Sequence, residues 1–134
     1  MPAATSPPIL VAGASGQLGG TVARLLLAEG FPVRALARRR EPLRPLADLG
    51  AEIVAGDLRD AGAVRQACAG AGQVVSTANN VQGSGASSPT RVDVEAYRSL
   101  ARAASDAGVS RWLHVSARGL TADSVVDYFR VKYQ

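Results

Sequence analysis

Gly13, Gly16 and Gly19 stand three residues apart in "ILVAGASGQLGG", after the apolar run 9–11 and before "TVARLLLAEG". A turn of small residues between a strand and a helix has a specific chemical use. It lets backbone approach a pyrophosphate, and it aims the N–H groups of the helix N-terminus at that anion. Among 14 glycines the spacing alone is a weak signal, and its place between strand and helix is what gives it weight. The structural alternative is a tight turn with close helix–sheet packing, an end that Gly19 serves in either case. A P-loop would require Gly-Lys-Ser/Thr, and the only lysine is Lys132, so that kind of phosphate chemistry is excluded.

A second group of residues could move a proton. Tyr128 and Lys132 are four apart and share one helix face, with Ser116 upstream at the end of a strand pattern. A phenol, with a pKa near ~10, is poorly poised for proton transfer at neutral pH. A neighbouring ammonium stabilises the phenolate and lowers that pKa. Taken singly, Y-x-x-x-K is a common chance match, and the alternative keeps Tyr128 as a packing residue. A third feature is the run Arg38-Arg39-Arg40, closing an apolar segment with no acid at its end.

The elements that must hold these residues alternate along the chain. Strand patterns are "ILVAG", "PVRALA", "AEIVAG", "QVVSTA" and "RWLHVSA". Between them lie helix patterns. The first is "QLGGTVARLLLAE", with Leu18, Val22, Leu25 and Leu26 at helical spacing and Gly30 as its stop. A short "LRPLADLG" carries Leu43, Leu46 and Leu49. "AGAVRQACAG" has Asp60 placed to cap it, and "VDVEAYRSLARAASDAG" follows. "NNVQGSGASSPT" and "RGLTADSV" read as loops, and "DYFRVKYQ" begins a further helix. Strands and helices alternating at this spacing imply right-handed βαβ units and an α/β, doubly wound, Rossmann-type parallel sheet of order 3-2-1-4-5. A ligand is then expected outside the carboxyl ends of the strands, at the switch point between strands one and four. His114 and Trp112, alternating along strand five, and Cys68, on an apolar helix face, are expected to pack rather than to bind.

Bulk composition narrows the classes. The 134 residues, 47% hydrophobic and 19% charged, suit one globular domain, residues 1–134. No run approaches the ~20 apolar residues of a membrane span, and "MPAATSPP" lacks the pattern of a signal peptide. Cys68 is the only cysteine, so the chain can form no internal disulfide, and a cytoplasmic location is expected. The formal charge of +4 is spread along helices with few aromatics, which gives no support to nucleic-acid binding.

With "GASGQLGG", "VRALARR", "GAEIVAGDLRD", "AGVSRWLHVSARG" and "YFRVK" in this order, the chain resembles the extended and atypical short-chain dehydrogenase/reductase superfamily. Within it the NmrA-like NAD(P)-binding group is the most similar. The resemblance implies that Gly13, Ser15, Gly16, Gln17, Leu18 and Gly19 hold the cofactor pyrophosphate region. It implies that Asp57 accepts from the adenine amino group, with Leu58 as an apolar wall, and that Thr77, Ala78 and Asn79 lie against the adenosine ribose. The alternative for Asp57 is a turn cap. At the end of strand two, NAD enzymes place an acid on the ribose 2′-hydroxyl. This chain has Arg38, assisted by Arg39 or Arg40, and an arginine suits a 2′-phosphate. NADP(H) is therefore expected over NAD(H), with a solvated basic loop as the alternative.

The same resemblance implies catalysis by Ser116, Tyr128 and Lys132. Tyr128 would give its proton to a substrate oxygen as hydride arrives, Lys132 would also bond the nicotinamide ribose, and Ser116 would hold the substrate oxygen. One departure is Asp93, where many relatives carry an Asn. The larger departure is length, since members of the group run well past this chain. It is expected to be truncated before the substrate-binding half, to bind cofactor with little turnover, and to self-associate through an exposed strand five. The expected function is hydride transfer to a carbonyl, quinone or activated alkene in a full-length form. The alternatives are a non-catalytic module that senses NADP(H), and the nucleotide-sugar epimerase branch, which needs a larger C-terminal domain.

Overall fold

The computed structural model describes residues 6–77 and 94–115. Five short strands form one sheet: β1 (Ile9–Ala12), β2 (Val33–Ala37), β3 (Glu52–Ala55), β4 (Gln73–Ser76) and β5 (Arg111–His114). Their spatial order is β3-β2-β1-β4-β5, every pairing is parallel, and the doubly wound reading is therefore correct. Parallel strands buried on both faces need continuous apolar sequence, and β1 meets that need with all four residues buried. The register sets Ala12 beside Leu36 on one side and Ser76 on the other. The carboxyl ends of β1, β2 and β4 thus finish level, where the chain reverses direction across the sheet.

The helices divide between the two faces. Those on one face are α1 (Gln17–Ala28) and α2 (Arg44–Asp48), the latter led in by a 3-10 turn over Glu41–Leu43. They cover a core of Val11, Ala23, Val33, Ala35, Leu43 and Leu46. On the other face α3 (Ala61–Cys68) and α4 (Tyr97–Asp106) cover Leu10, Leu36, Val64, Val74 and Leu100. Each fully buried leucine contributes roughly 1.5–3 kcal/mol by leaving water. Asp60 caps α3 as its position predicts, accepting from the N–H groups of Gly62 at 2.9 Å and Ala63 at 3.4 Å. The other end of α3 is held by Arg34 of β2. Its Nη1 donates to the carbonyls of Ala67 (2.7 Å) and Ala69 (2.6 Å), and its Nε donates to Glu52 on β3 (2.9 Å).

Two features depart from the sequence reading. Helical spacing singles out Leu18, Val22, Leu25 and Leu26 on α1, yet Leu18 and Leu25 are 50% and 63% exposed. The buried residues of α1 are Gly19, Gly20 and Ala23, because the helix lies too close to the turn before it for larger side chains. On the last described helix the regular α geometry begins at Tyr97, after a wider π turn over 94–96, rather than at Val92. The loop expected over 79–90, the loop after β5 and the final helix lie outside the described residues.

Candidate functional site

The glycine turn lies between β1 and α1. Gly13 has φ +84°, a left-handed conformation that side chains disfavour. Its N–H and that of Ala14 both donate to the Leu36 carbonyl, at 3.1 and 3.2 Å, which anchors the turn to β2. Gly19 is required by contact: a Cβ there would stand 2.2 Å from the Gly13 carbonyl oxygen and 2.6 Å from Thr77 Oγ1. Gly16 differs from both. Its backbone is extended (φ −78°, ψ 168°), and a Cβ would meet only the Gly13 oxygen, at an ordinary 3.4 Å. Nothing among the described residues demands glycine at this exposed N-cap position, so the bare backbone leaves room for a ligand. The N-terminus of α1 has no side-chain cap, in contrast to α3, and Ser15, Gln17 and Leu18 around it are exposed. Uncapped N–H donors beside an open backbone suit an oxyanion such as a pyrophosphate.

Thr77 supports this turn from β4. It is 9% exposed, its N–H donates to the Ala12 carbonyl at 3.0 Å, and its hydroxyl reaches the carbonyls of Ala12 (3.0 Å) and Gly13 (3.4 Å). The hydroxyl therefore clips the switch point shut between β1 and β4. Sequence reasoning placed Thr77 at the site but not this role, which depends on a pairing across 65 positions.

The ends of β2 and β3 form the second part of the site. The Gly56 N–H donates to the Ala37 carbonyl at 2.9 Å, which sets Asp57 beside the Arg38 end of β2. Arg38, Arg39 and Arg40 are all exposed. Asp57 is gripped by Arg59: Oδ1 accepts from the Arg59 N–H and Nε, both at 2.9 Å, and Oδ2 accepts from Nη2 at 2.5 Å. The Arg59 guanidinium holds the Asp57 carboxyl below the usual carboxylate range, and the charge of Arg38 adds to the effect. Leu58, between them, is buried in the α3–α4 core. Cys68 is fully buried, and burial pushes its thiol pKa up, so it behaves as a core residue.

The family model for NAD(P)H-binding proteins matches residues 13–133. The chain belongs to that NAD(P)H-binding family. Relatives of this NAD(P)H-binding chain include sterol demethylase protein B of Methylococcus capsulatus, 38% identical over 112 residues, covering 82% of this chain and 34% of that protein. An NmrA-like family domain-containing oxidoreductase of Aspergillus versicolor is 54% identical over 52 residues, 37% of this chain and 15% of its own length. Among solved structures, a short-chain dehydrogenase/reductase superfamily protein from Agrobacterium tumefaciens with bound NAD has a TM-score of 0.74 at 28% identity. That match covers 93% of this chain and 42% of the other. The chain spans about a third of the length of the sterol demethylase relative.

In this NAD(P)H-binding chain the structure brings together Gly13, Ser15, Gly16, Gln17, Leu18, Gly19, Arg38, Arg39, Asp57, Leu58 and Thr77 around the carboxyl ends of β1 to β4. Ala78, Asn79, Ser116, Tyr128 and Lys132, like Asp93, lie outside the described residues. One residue that the sequence reading passed over is Ser76. Fully buried at the end of β4, its Oγ accepts from Trp112 Nε1 at 2.8 Å and bonds His114 Nδ1 at 2.8 Å. His114 stands edge-on to Tyr97 of α4, with ring centroids 4.5 Å apart, so Trp112 and His114 touch the α4 side of the sheet through these contacts, although both stay exposed. A small polar residue inside an apolar strand pattern was the only sequence signal for Ser76.

Proposed function

We propose that this chain is the NADP(H)-binding portion of an oxidoreductase that transfers hydride to a carbonyl, quinone or activated alkene. The observation that carries the cofactor preference is the end of β2, where Arg38, Arg39 and Arg40 stand exposed and residues 33–40 include no carboxylate. An arginine there can give a 2′-phosphate charge-assisted, bidentate bonds. In this reading the N-terminus of α1 takes the pyrophosphate, Asp57 accepts from the adenine amino group with Leu58 beside it, and Thr77, Ala78 and Asn79 lie near the ribose. The nicotinamide, when bound, supplies the hydride. Tyr128 gives a proton to the substrate oxygen, Lys132 stabilises the phenolate left behind and bonds the nicotinamide ribose, and Ser116 holds the substrate oxygen. A cytoplasmic location belongs to the same reading, supported by the single cysteine.

Calorimetry with both cofactors tests the preference. NADP(H) is expected to bind at least about tenfold tighter than NAD(H), and Arg38→Ala to remove most of that difference. A charged hydrogen-bond partner of this kind contributes ~1.5–3 kcal/mol. Equal affinities in the parent would overturn the preference. For the chemistry, in a longer form of the length of its relatives, Tyr128→Phe should suppress NADPH oxidation across a panel of quinones and aldehydes by roughly 10²-fold or more. Tight binding without turnover on any of them in that longer form would favour the sensing role instead.

A further inference from the structure

The grip of Arg59 on Asp57 exceeds what the local turn needs. The turn itself is made by two bonds: the Asp60 N–H donates to the Asp57 carbonyl at 2.9 Å, and the Arg59 N–H donates to Asp57 Oδ1 at 2.9 Å. The Arg59 side chain adds a two-point fork on the same carboxylate, through Nε and Nη2, although both side chains are partly open to water at 28% and 32% exposure. A fork of this kind fixes the plane of a carboxylate as well as its charge. A carboxylate offers about four acceptor directions. Arg59 fills two on Oδ1 and one on Oδ2, so the direction that stays available is on Oδ2.

Resting on the reading of Asp57 as the acceptor for adenine, we propose that Arg59 is a positioning residue for nucleobase selection. It holds the Asp57 carboxylate so that a single fixed acceptor meets the exocyclic amine of an aminopurine. A keto purine presents an oxygen at the same place, and two acceptors facing each other repel. A carboxylate free to turn would relieve that clash by rotating its charge away. Fixation by Arg59 is therefore what turns one hydrogen bond into discrimination. Arg59 also supplies the counter-charge for Asp57, which leaves the guanidinium of Arg38, close enough to act on Asp57 electrostatically, for the cofactor phosphate.

The test compares the affinity of the purified chain for NAD+ and for its deamino analogue, in which hypoxanthine replaces adenine. The parent is expected to favour NAD+ by about tenfold or more, as a hydrogen bond to a charged group allows. Asp57→Asn, which can both accept and donate, should collapse that ratio; if it keeps the parent ratio, the reading of Asp57 is wrong and the proposal falls with it. Arg59→Met and Arg59→Lys should each bring the ratio within about threefold of unity, chiefly by raising affinity for the deamino analogue as the freed carboxylate turns away from its oxygen. A purely structural loss would weaken both ligands alike and leave the ratio unchanged. If Asp57→Asn collapses the ratio and both Arg59 variants retain it, Asp57 reads adenine without help and the proposal is overturned. Retention in Arg59→Lys alone would assign the effect to charge rather than to the fork, and would overturn the positioning role as well.

Discussion

Asp57 and Arg59 are two residues apart, and their contact makes a prediction at the scale of single groups. The folded chain holds the Asp57 carboxyl below its ordinary value, chiefly through the hydrogen bond from Arg59. A depressed carboxyl stabilises the fold at pH values above its unfolded pKa, and that contribution is lost as pH falls through the folded pKa. The pair is partly exposed, so solvent screening keeps the contribution small. Asp57→Asn is thus expected to lower the urea midpoint slightly at neutral pH, with parent and variant converging as the carboxyl range is passed on acidification. Denaturation curves at a series of pH values check this, and a difference that persists undiminished into strong acid would count against it. That Asp57 follows the carboxyl end of β3 was legible from "GDLRD" after a strand pattern. That Arg59 grips it was not, since the contact depends on a turn conformation that residue types do not specify.

Among the elements, the turn between β1 and α1 carries three glycines for three different reasons, and substitution should separate them. Gly13→Val places a branched residue at φ +84°, a strain of roughly 1–3 kcal/mol. Gly19→Ala drives a methyl to 2.2 Å from a backbone carbonyl, so α1 must move off the turn and stability falls with it. Gly16→Ala meets only a 3.4 Å contact with the backbone extended, and the fold should hold. If α1 receives a pyrophosphate, that one methyl should nevertheless cost roughly tenfold or more in cofactor affinity. Thermal melts alongside calorimetry give the decision, and a Gly16→Ala variant that melts and binds like the parent would remove the phosphate role from this position. The glycine pattern was readable because strand, turn and helix are contiguous. The burial of Gly19, Gly20 and Ala23 in place of Leu18 and Leu25 was not, because apolar spacing records hydrophobicity and not how closely a helix sits.

At the level of the molecule, the sheet is closed on neither side among the described residues. Among the described residues β5 pairs only with β4, and its Leu113 and Trp112 are 60% and 36% exposed. An edge strand that exposes apolar side chains favours association. The 134-residue chain is therefore expected to associate through β5 in a concentration-dependent way, and Leu113→Lys to shift it toward monomer. Light scattering over a dilution series measures this; a parent that is monomeric throughout, or a variant that associates equally, would exclude β5 as the contact. No helix of the described residues is long and apolar enough to cross a membrane.

By itself the sequence determined the order of elements, the parallel sheet of order 3-2-1-4-5, the site of the glycine turn and the Asp60 cap of α3. These follow from local codes: apolar period, capping residues, glycine placement, and the fixed handedness of βαβ crossovers. Only the tertiary structure decided that Thr77 reaches back 65 positions to clip the glycine turn, and that Ser76 gathers Trp112 and His114 from 36 and 38 positions away. It likewise decided that Arg34 ties two strands to the end of α3. Each of these is a polar side chain finding its partner after the sheet has brought distant strands side by side. The energy lies in satisfying a buried or partly buried hydrogen bond, a demand that is created by burial and so has no signature in the chain before it folds.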